Sequence, residues 1–343
     1  MLSKAFKVVE PKRFDLYLED LNITDDEVLV KVDYMSICKA DLRYYDGNRD
    51  EKTLALKYPI SLIHEATGIV VKDNSNVFEI GTRVVLIPNE IKKKCDMNCV
   101  CQDKQLGENY CPNANFASSN TDGFSKGFVK ISSKQIIQID EQIPSNIAVF
   151  SEMISVACAA IRRKENLFGN IGIWGDGILG YILASTIKTL HPDAIVIAVG
   201  KHKEKLDQFR ADKSYLIHEK INEKFDFVFE CVGGRASSNA INQSIDYIKV
   251  GGSLILAGVT EELVPINTRK ILEKGISITG TTRSQKEDFE KAQALLNDKQ
   301  FIDSIKKLQL SENIIYNIND YYMIFEEETK NKKLGKHLMK FNI

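Results

Sequence analysis

The chain has 343 residues and a mass of 38.7 kDa, beyond the ~250 to 300 residues at which a single hydrophobic core stops growing, so two domains are expected. With 43% hydrophobic and 27% charged residues, 7 Pro and 20 Gly, the composition excludes a disordered or collagen-like chain. A formal net charge of −1 provides no global field to draw nucleic acid or an anionic membrane, and neither partner is expected.

Residues 1–15 mix Lys4, Lys7, Lys12 and Arg13 with short apolar steps and lack the apolar core, about 7 to 15 residues long, of a secretory signal. The longest apolar runs, such as 194–199, fall far short of the ~20 residues that cross a bilayer, so a cytoplasmic location is expected. Up to about residue 144 the pattern is one of short β-like runs, 27–34, 66–71 and 82–87, separated by Asn, Asp and Gly. The charge run 92–94 reads as solvated loop. Immediately after it, Cys95, Cys99, Cys101 and Cys111 crowd into one loop, and in a reducing compartment such thiols suggest metal rather than disulfides. Beyond residue 150 the rhythm becomes strand 170–174, helix 178–190, strand 194–199, helix 201–209 and strands 225–231, 253–257 and 276–280. That alternation predicts a parallel sheet with helices on both faces. The tail to residue 343 is too short for a third domain and is expected to rejoin the first.

Gly175, Gly177 and Gly180 follow an apolar strand and open a helix, with Ile178 and Leu179 between the last two. In this setting the first glycine permits a tight turn, the second lets backbone approach a pyrophosphate, and the third allows close packing of helix on sheet. An NAD-selective site normally carries an acid at the end of the second strand, about 20 residues after the loop. Here that strand ends in Gly200, followed by Lys201, His202 and Lys203, a small residue and three potential cations suited to a 2′-phosphate, so NADP(H) is expected. The alternative for the cations is that they cap a surface helix.

Cys38, the adjacent His64 and Glu65, and Glu152 supply thiolate, imidazole and carboxylate, the donor types of a catalytic zinc with an open position. Spacing alone does not link them. Together with the cysteine loop and the glycine loop, however, they occur in the order found in the zinc-type medium-chain dehydrogenases/reductases, which the chain resembles along nearly its whole length. The resemblance is strongest to the ribulose-5-phosphate reductases that supply ribitol 5-phosphate for teichoic acid or capsule polymers, through segments 34–38, 41–45, 49–51, 61–65, 173–181, 229–235 and 241–243.

This resemblance implies an α/β fold: a GroES-like β-barrel catalytic domain over 1–148, completed by about 285–343, plus a Rossmann doubly wound parallel sheet over 149–284. It implies catalytic zinc on Cys38, His64, Glu65 and Glu152, with Glu65 either a ligand or a proton relay, and structural zinc on Cys95, Cys99, Cys101 and Cys111. The last four depart from the family's usual spacing, with three, one and nine residues intervening. Where alcohol dehydrogenases place a hydroxyl relay residue this chain has Ala40, and where some carry a relay histidine it has Arg43, which suits a phosphate instead. Arg43, Arg49 and Arg283 are candidates for the substrate phosphate, and Tyr44 sits where polyol dehydrogenases hold substrate.

The implied reaction is NADPH-dependent, zinc-assisted reduction of D-ribulose 5-phosphate to D-ribitol 5-phosphate. A homodimer and a functional link to a ribitol-5-phosphate cytidylyltransferase go with it. The alternative is a zinc polyol or alcohol dehydrogenase acting on an unphosphorylated substrate with NAD(P).

Overall fold

The computed structural model describes residues 1–91, 95–164 and 166–343, and the charge run 92–94 lies outside the described residues. The chain divides into two compact units, Met1–Glu152 with Ser284–Ile343, and Met153–Arg283.

In the first unit the strand Glu27–Ser36 is central. Of its ten residues only Lys31 is exposed, the pattern of a strand covered on both faces. It pairs antiparallel with Glu65–Asp73, Phe128–Ser132 and Lys336–Phe341. Arg83–Leu86 and Ile136–Gln138 extend the sheet on one side and Gln309–Ile315 on the other. Leu2–Glu10 and Arg13–Asp20 form a separate sheet with Ile60–Ser61. Phe14 stacks on Tyr45 at 5.1 Å and meets Tyr321 and Phe325 edge-on at 4.8 and 4.9 Å. The last two belong to the helix Ile318–Lys330, so the C-terminal segment supplies part of the core of the N-terminal one.

The second unit is a six-stranded parallel sheet. Its strands lie in the order Lys213–Leu216, Ile195–Gly200, Asn170–Trp174, Phe225–Glu230, Ile248–Leu256 and Ser277–Gly280, the doubly wound arrangement expected. The helix Ile178–Leu190 has the predicted bounds, and residues 180–187 are all buried, as an all-round apolar helix must be.

Two local expectations need correction, and one strand was not expected. The helix expected over 201–209 is helical only at Lys203–Leu206; beyond it Gln208 and Phe209 bond back three residues, to Lys205 and Leu206, and tighten the turn. The strand expected at 253–257 begins at Ile248 and passes through Gly251, whose φ of 74° absorbs an irregularity in the pairing. Lys213–Leu216, a half-buried edge strand, was not anticipated because four residues carry too little periodicity to read.

Candidate active site

Strand register builds the first cluster. Ser36 lies opposite Glu65 on one neighbouring strand and opposite Leu338 on the other, so the chain just after Ser36, the start of Glu65–Asp73 and the start of Lys336–Phe341 converge. Cys38 caps the helix Lys39–Tyr45, and Asp41 in its first turn accepts the Cys38 N–H at 2.9 Å. Cys38, His64 and Glu65 each bring one donor atom within 4.8 Å of the others.

Asp41 is fully buried and holds this cluster in place. Its Oδ1 accepts from the Ile63 N–H at 3.1 Å, faces His64 Nδ1 at 3.2 Å and accepts the Ser118 hydroxyl. Burial works against its ionisation, but the His64 ring, the Ser118 hydroxyl and the Cys38 amide outweigh burial and lower its pKa. The same partnership raises the pKa of His64 well above the usual value, Asp41 outweighing the opposite effect of burial. With Nδ1 committed to Asp41, Nε2 is the nitrogen left for a ligand. Ile63, just before it, has φ of 73°, strained for a β-branched residue, and its carbonyl is held by the Phe124 N–H at 2.8 Å.

Glu65 is not an open carboxylate. Its two oxygens accept from Lys336, one of them at 2.5 Å, and the Ser36 hydroxyl donates to it as well. Glu65 is 0% and Lys336 3% exposed, so each charge depends on the other. Burial lowers the Lys336 pKa, and the carboxylate of Glu65 overrides it and keeps the ammonium protonated. Glu152 is also buried; burial first and the like charge of Glu65 second push its carboxyl up to about 7, against the pull of His64 and Lys336. It does not join the three donors that meet within 4.8 Å.

Of the other candidates, Tyr44 is 4% exposed and belongs to the core, with the Arg49 guanidinium 5.1 Å from its ring. Arg43 is half-buried on the helix that Cys38 caps. Arg283 is the last residue of the second unit, half-buried, with φ of 58°.

The cysteine loop forms a second cluster of four sulfurs within 4.8 Å. Cys95 and Cys99 lie 3.3 and 3.7 Å from Cys111, too long for a disulfide and close to the ~3.8 Å edge of a tetrahedron with metal–sulfur bonds of about 2.3 Å. The unusual spacing therefore does not stop the four from converging. Burial pushes the Cys111 thiol up to about 12, whereas the Cys101 amide brings Cys99 down to about 7.

In the second unit Gly175 has φ of 127°, and a Cβ on Gly180 would lie 2.2 Å from the Gly175 carbonyl oxygen. A Cβ on Gly177, which caps the helix Ile178–Leu190, would meet nothing within 4 Å, leaving the space a ligand backbone approach requires. Lys203 pairs with Asp207, as the surface-helix alternative supposed. A carboxylate does reach the end of the second strand, contrary to expectation: Asp176 of the glycine loop accepts the Lys201 and His202 N–H groups, both at 2.7 Å.

Asp41, Ser36, Ser118, Lys336 and Asp176 received no role from the sequence. Asp41 stood in the motif with Cys38 and could have been questioned as its helix-capping carboxylate, whereas nothing local distinguished Lys336 from other lysines of the tail.

Residues 24–141 match the family Alcohol dehydrogenase GroES-like domain, and residues 193–298 match Zinc-binding dehydrogenase. The chain is 39% identical to ribulose-5-phosphate reductase 1 of Staphylococcus aureus over 99% of both chains. It is 34% identical to the ribulose-5-phosphate reductase of Streptococcus pneumoniae over 95% of this chain and 94% of that one. The crystal structure of S. aureus TarJ in complex with NADPH superposes with a TM-score of 0.87 at 35% identity, covering 100% of each chain.

Proposed function

We propose that this chain, which belongs to the zinc-type medium-chain dehydrogenases and among them to the ribulose-5-phosphate reductases, reduces the C2 ketone of D-ribulose 5-phosphate to D-ribitol 5-phosphate with NADPH. The observation that carries this reading is the end-to-end identity with ribulose-5-phosphate reductases, 39% over 99% of the chain. The donor set fits zinc: a thiolate, an imidazole with Nε2 left for a ligand, and two buried carboxylates beside them. Cys38 and His64 would hold the ion, with Glu65 and Glu152 adjoining it, and zinc when bound supplies Lewis-acid polarisation of the ketone oxygen. The glycine loop 175–180 would hold NADPH, which would supply the hydride.

The protein's own residues then have positioning work. Asp41 fixes the tautomer and direction of His64, and Lys336 with Ser36 fixes Glu65 and balances its charge. Arg43, with a planar fork of donors, and Arg49 beside Tyr44 are assigned to the 5-phosphate. Arg283 is the third candidate. Cys95, Cys99, Cys101 and Cys111 are assigned a structural zinc. The product would feed a cytidylyltransferase in cell-wall polymer synthesis, and a homodimer is the expected assembly.

Zinc analysis and NADPH oxidation, assayed with ribulose 5-phosphate beside unphosphorylated ribulose, test the whole. The expected result is zinc-dependent turnover of the phosphorylated ketone. Equal turnover of both ketones, or full activity without zinc, overturns it.

A further inference from the structure

In a doubly wound sheet the end of the second strand decides whether the cofactor's adenosine ribose meets an acid or a phosphate-binding group. That place is Gly200, and the structure leaves no room for a side chain there: an added Cβ would lie 2.6 Å from Asp176 Cβ and 2.9 Å from its Cγ. The space is occupied from across the sheet by Asp176, the residue between Gly175 and Gly177. Its Oδ2 accepts the Lys201 N–H at 2.7 Å and the His202 N–H at 2.7 Å, and faces His202 Nδ1 at 2.9 Å. Burial alone would raise the Asp176 pKa, and these donors lower it, so the group is a carboxylate and Nδ1 is the donor.

Two consequences follow from the count of donors. Oδ2, already accepting three hydrogen bonds, has no lone pair left for a ribose hydroxyl, which only Oδ1 could receive, so most of the carboxylate's hydrogen bonding is directed at the turn 200–202. With Nδ1 turned inward, His202, whose side chain is 48% exposed against 16% for Asp176, presents Nε2 outward. Beside it Lys201 is exposed and has no ion-pair partner among the described residues. The outward face of the turn thus offers a cation and an imidazole, beside a strand end that carries no acid side chain of its own.

We propose that Asp176 is the positioning residue for 2′-phosphate recognition: it spends its charge on the turn 200–202 and thereby aims Lys201 and His202 at a 2′-phosphorylated ribose. This rests on NADPH being the cofactor.

Binding of 2′,5′-ADP and 5′-AMP to the full-length protein, measured by calorimetry, tests it without turnover. Asp176→Ala should weaken 2′,5′-ADP by about tenfold or more and 5′-AMP by less than about threefold, the loss expected when hydrogen bonds to a charged group stop fixing the turn. Asp176→Asn, nearly the same shape and still an acceptor, should recover part. KM for NADPH should rise with kcat held. Equal losses on both nucleotides, or tighter binding of 2′,5′-ADP to Asp176→Ala, overturn the proposal while wild-type discrimination stands. A wild-type protein that binds both nucleotides alike overturns the cofactor reading first, and the proposal with it.

Discussion

Cys38 and the adjacent pair His64 and Glu65 come from two distant segments, whereas Cys95, Cys99, Cys101 and Cys111 come from one loop, and the two clusters are held differently. In the first, buried groups of the protein hold the donor segments: Asp41 bonds the Cys38 amide and His64, and Lys336 and Ser36 bond Glu65. In the second, the sulfurs face one another, and three of the four are only half-buried. A site framed by register and buried charge keeps its shape whatever binds there. A loop of clustered thiols takes much of its order from the ion it holds.

The largest expected effect is at the framed site. Cys38→Ser should lower turnover by about a thousandfold or more while the fold persists, since a charge developing in the reaction loses its counter-charge; kcat together with circular dichroism checks both halves. The next is on stability. Lys336→Met strands a buried carboxylate and should cost about 3 to 5 kcal/mol in denaturant unfolding, and Glu65→Gln added to it should return a good part. A loss below about 1 kcal/mol would show that the pair does not frame the site.

Arg43→Ala should lose about 1.5 to 3 kcal/mol in kcat/KM on ribulose 5-phosphate and leave the rate on ribulose nearly unchanged, with Arg43→Lys recovering part. Equal losses on the two ketones would make Arg43 part of the frame, and the same pair of assays applies to Arg283.

At the loop, Cys111→Ser should remove one zinc per chain and lower the melting temperature, yet change turnover by no more than about tenfold because a structural ion does not touch the reacting atoms. Loss of activity as complete as that of Cys38→Ser would erase the distinction between the two clusters. The smallest effect is a separation in pH. Metal ligands bind deprotonated, so acid opposes both sites, by about tenfold per pH unit for each proton displaced. The loop must shed up to four thiol protons, those of Cys111 and Cys101 held up by burial, whereas the framed site sheds fewer, that of His64 held up by Asp41, so zinc content should fall more steeply with acid at the loop. Zinc content measured against pH in Cys38→Ser and Cys111→Ser reads each site alone.

The glycine loop shows how a correct sequence reading can still miss the chemistry. Gly200 does lack an acid, as its residue type says, but the carboxylate at that strand end arrives from Asp176, 2.7 Å from the Lys201 and His202 amides. An acid introduced at Gly200 would therefore collide with Asp176, and a switch toward NAD would require replacing both residues.

By itself the sequence determined the fold class, the parallel sheet of the second unit, the bounds of the helix Ile178–Leu190 and the residue types able to bind metal, cofactor and phosphate. The elements follow from periodicity, which acts over a few residues at a time, and the two-domain assignment and the gathering of the site residues follow from the family resemblance. Only the tertiary structure decided that Glu65 is tied to Lys336, that Asp41 orients His64, and that the four cysteines meet despite their spacing. Those outcomes depend on which strand pairs with which and in what register, and a pairing between residues 65 and 336 leaves no trace in the local pattern of either segment.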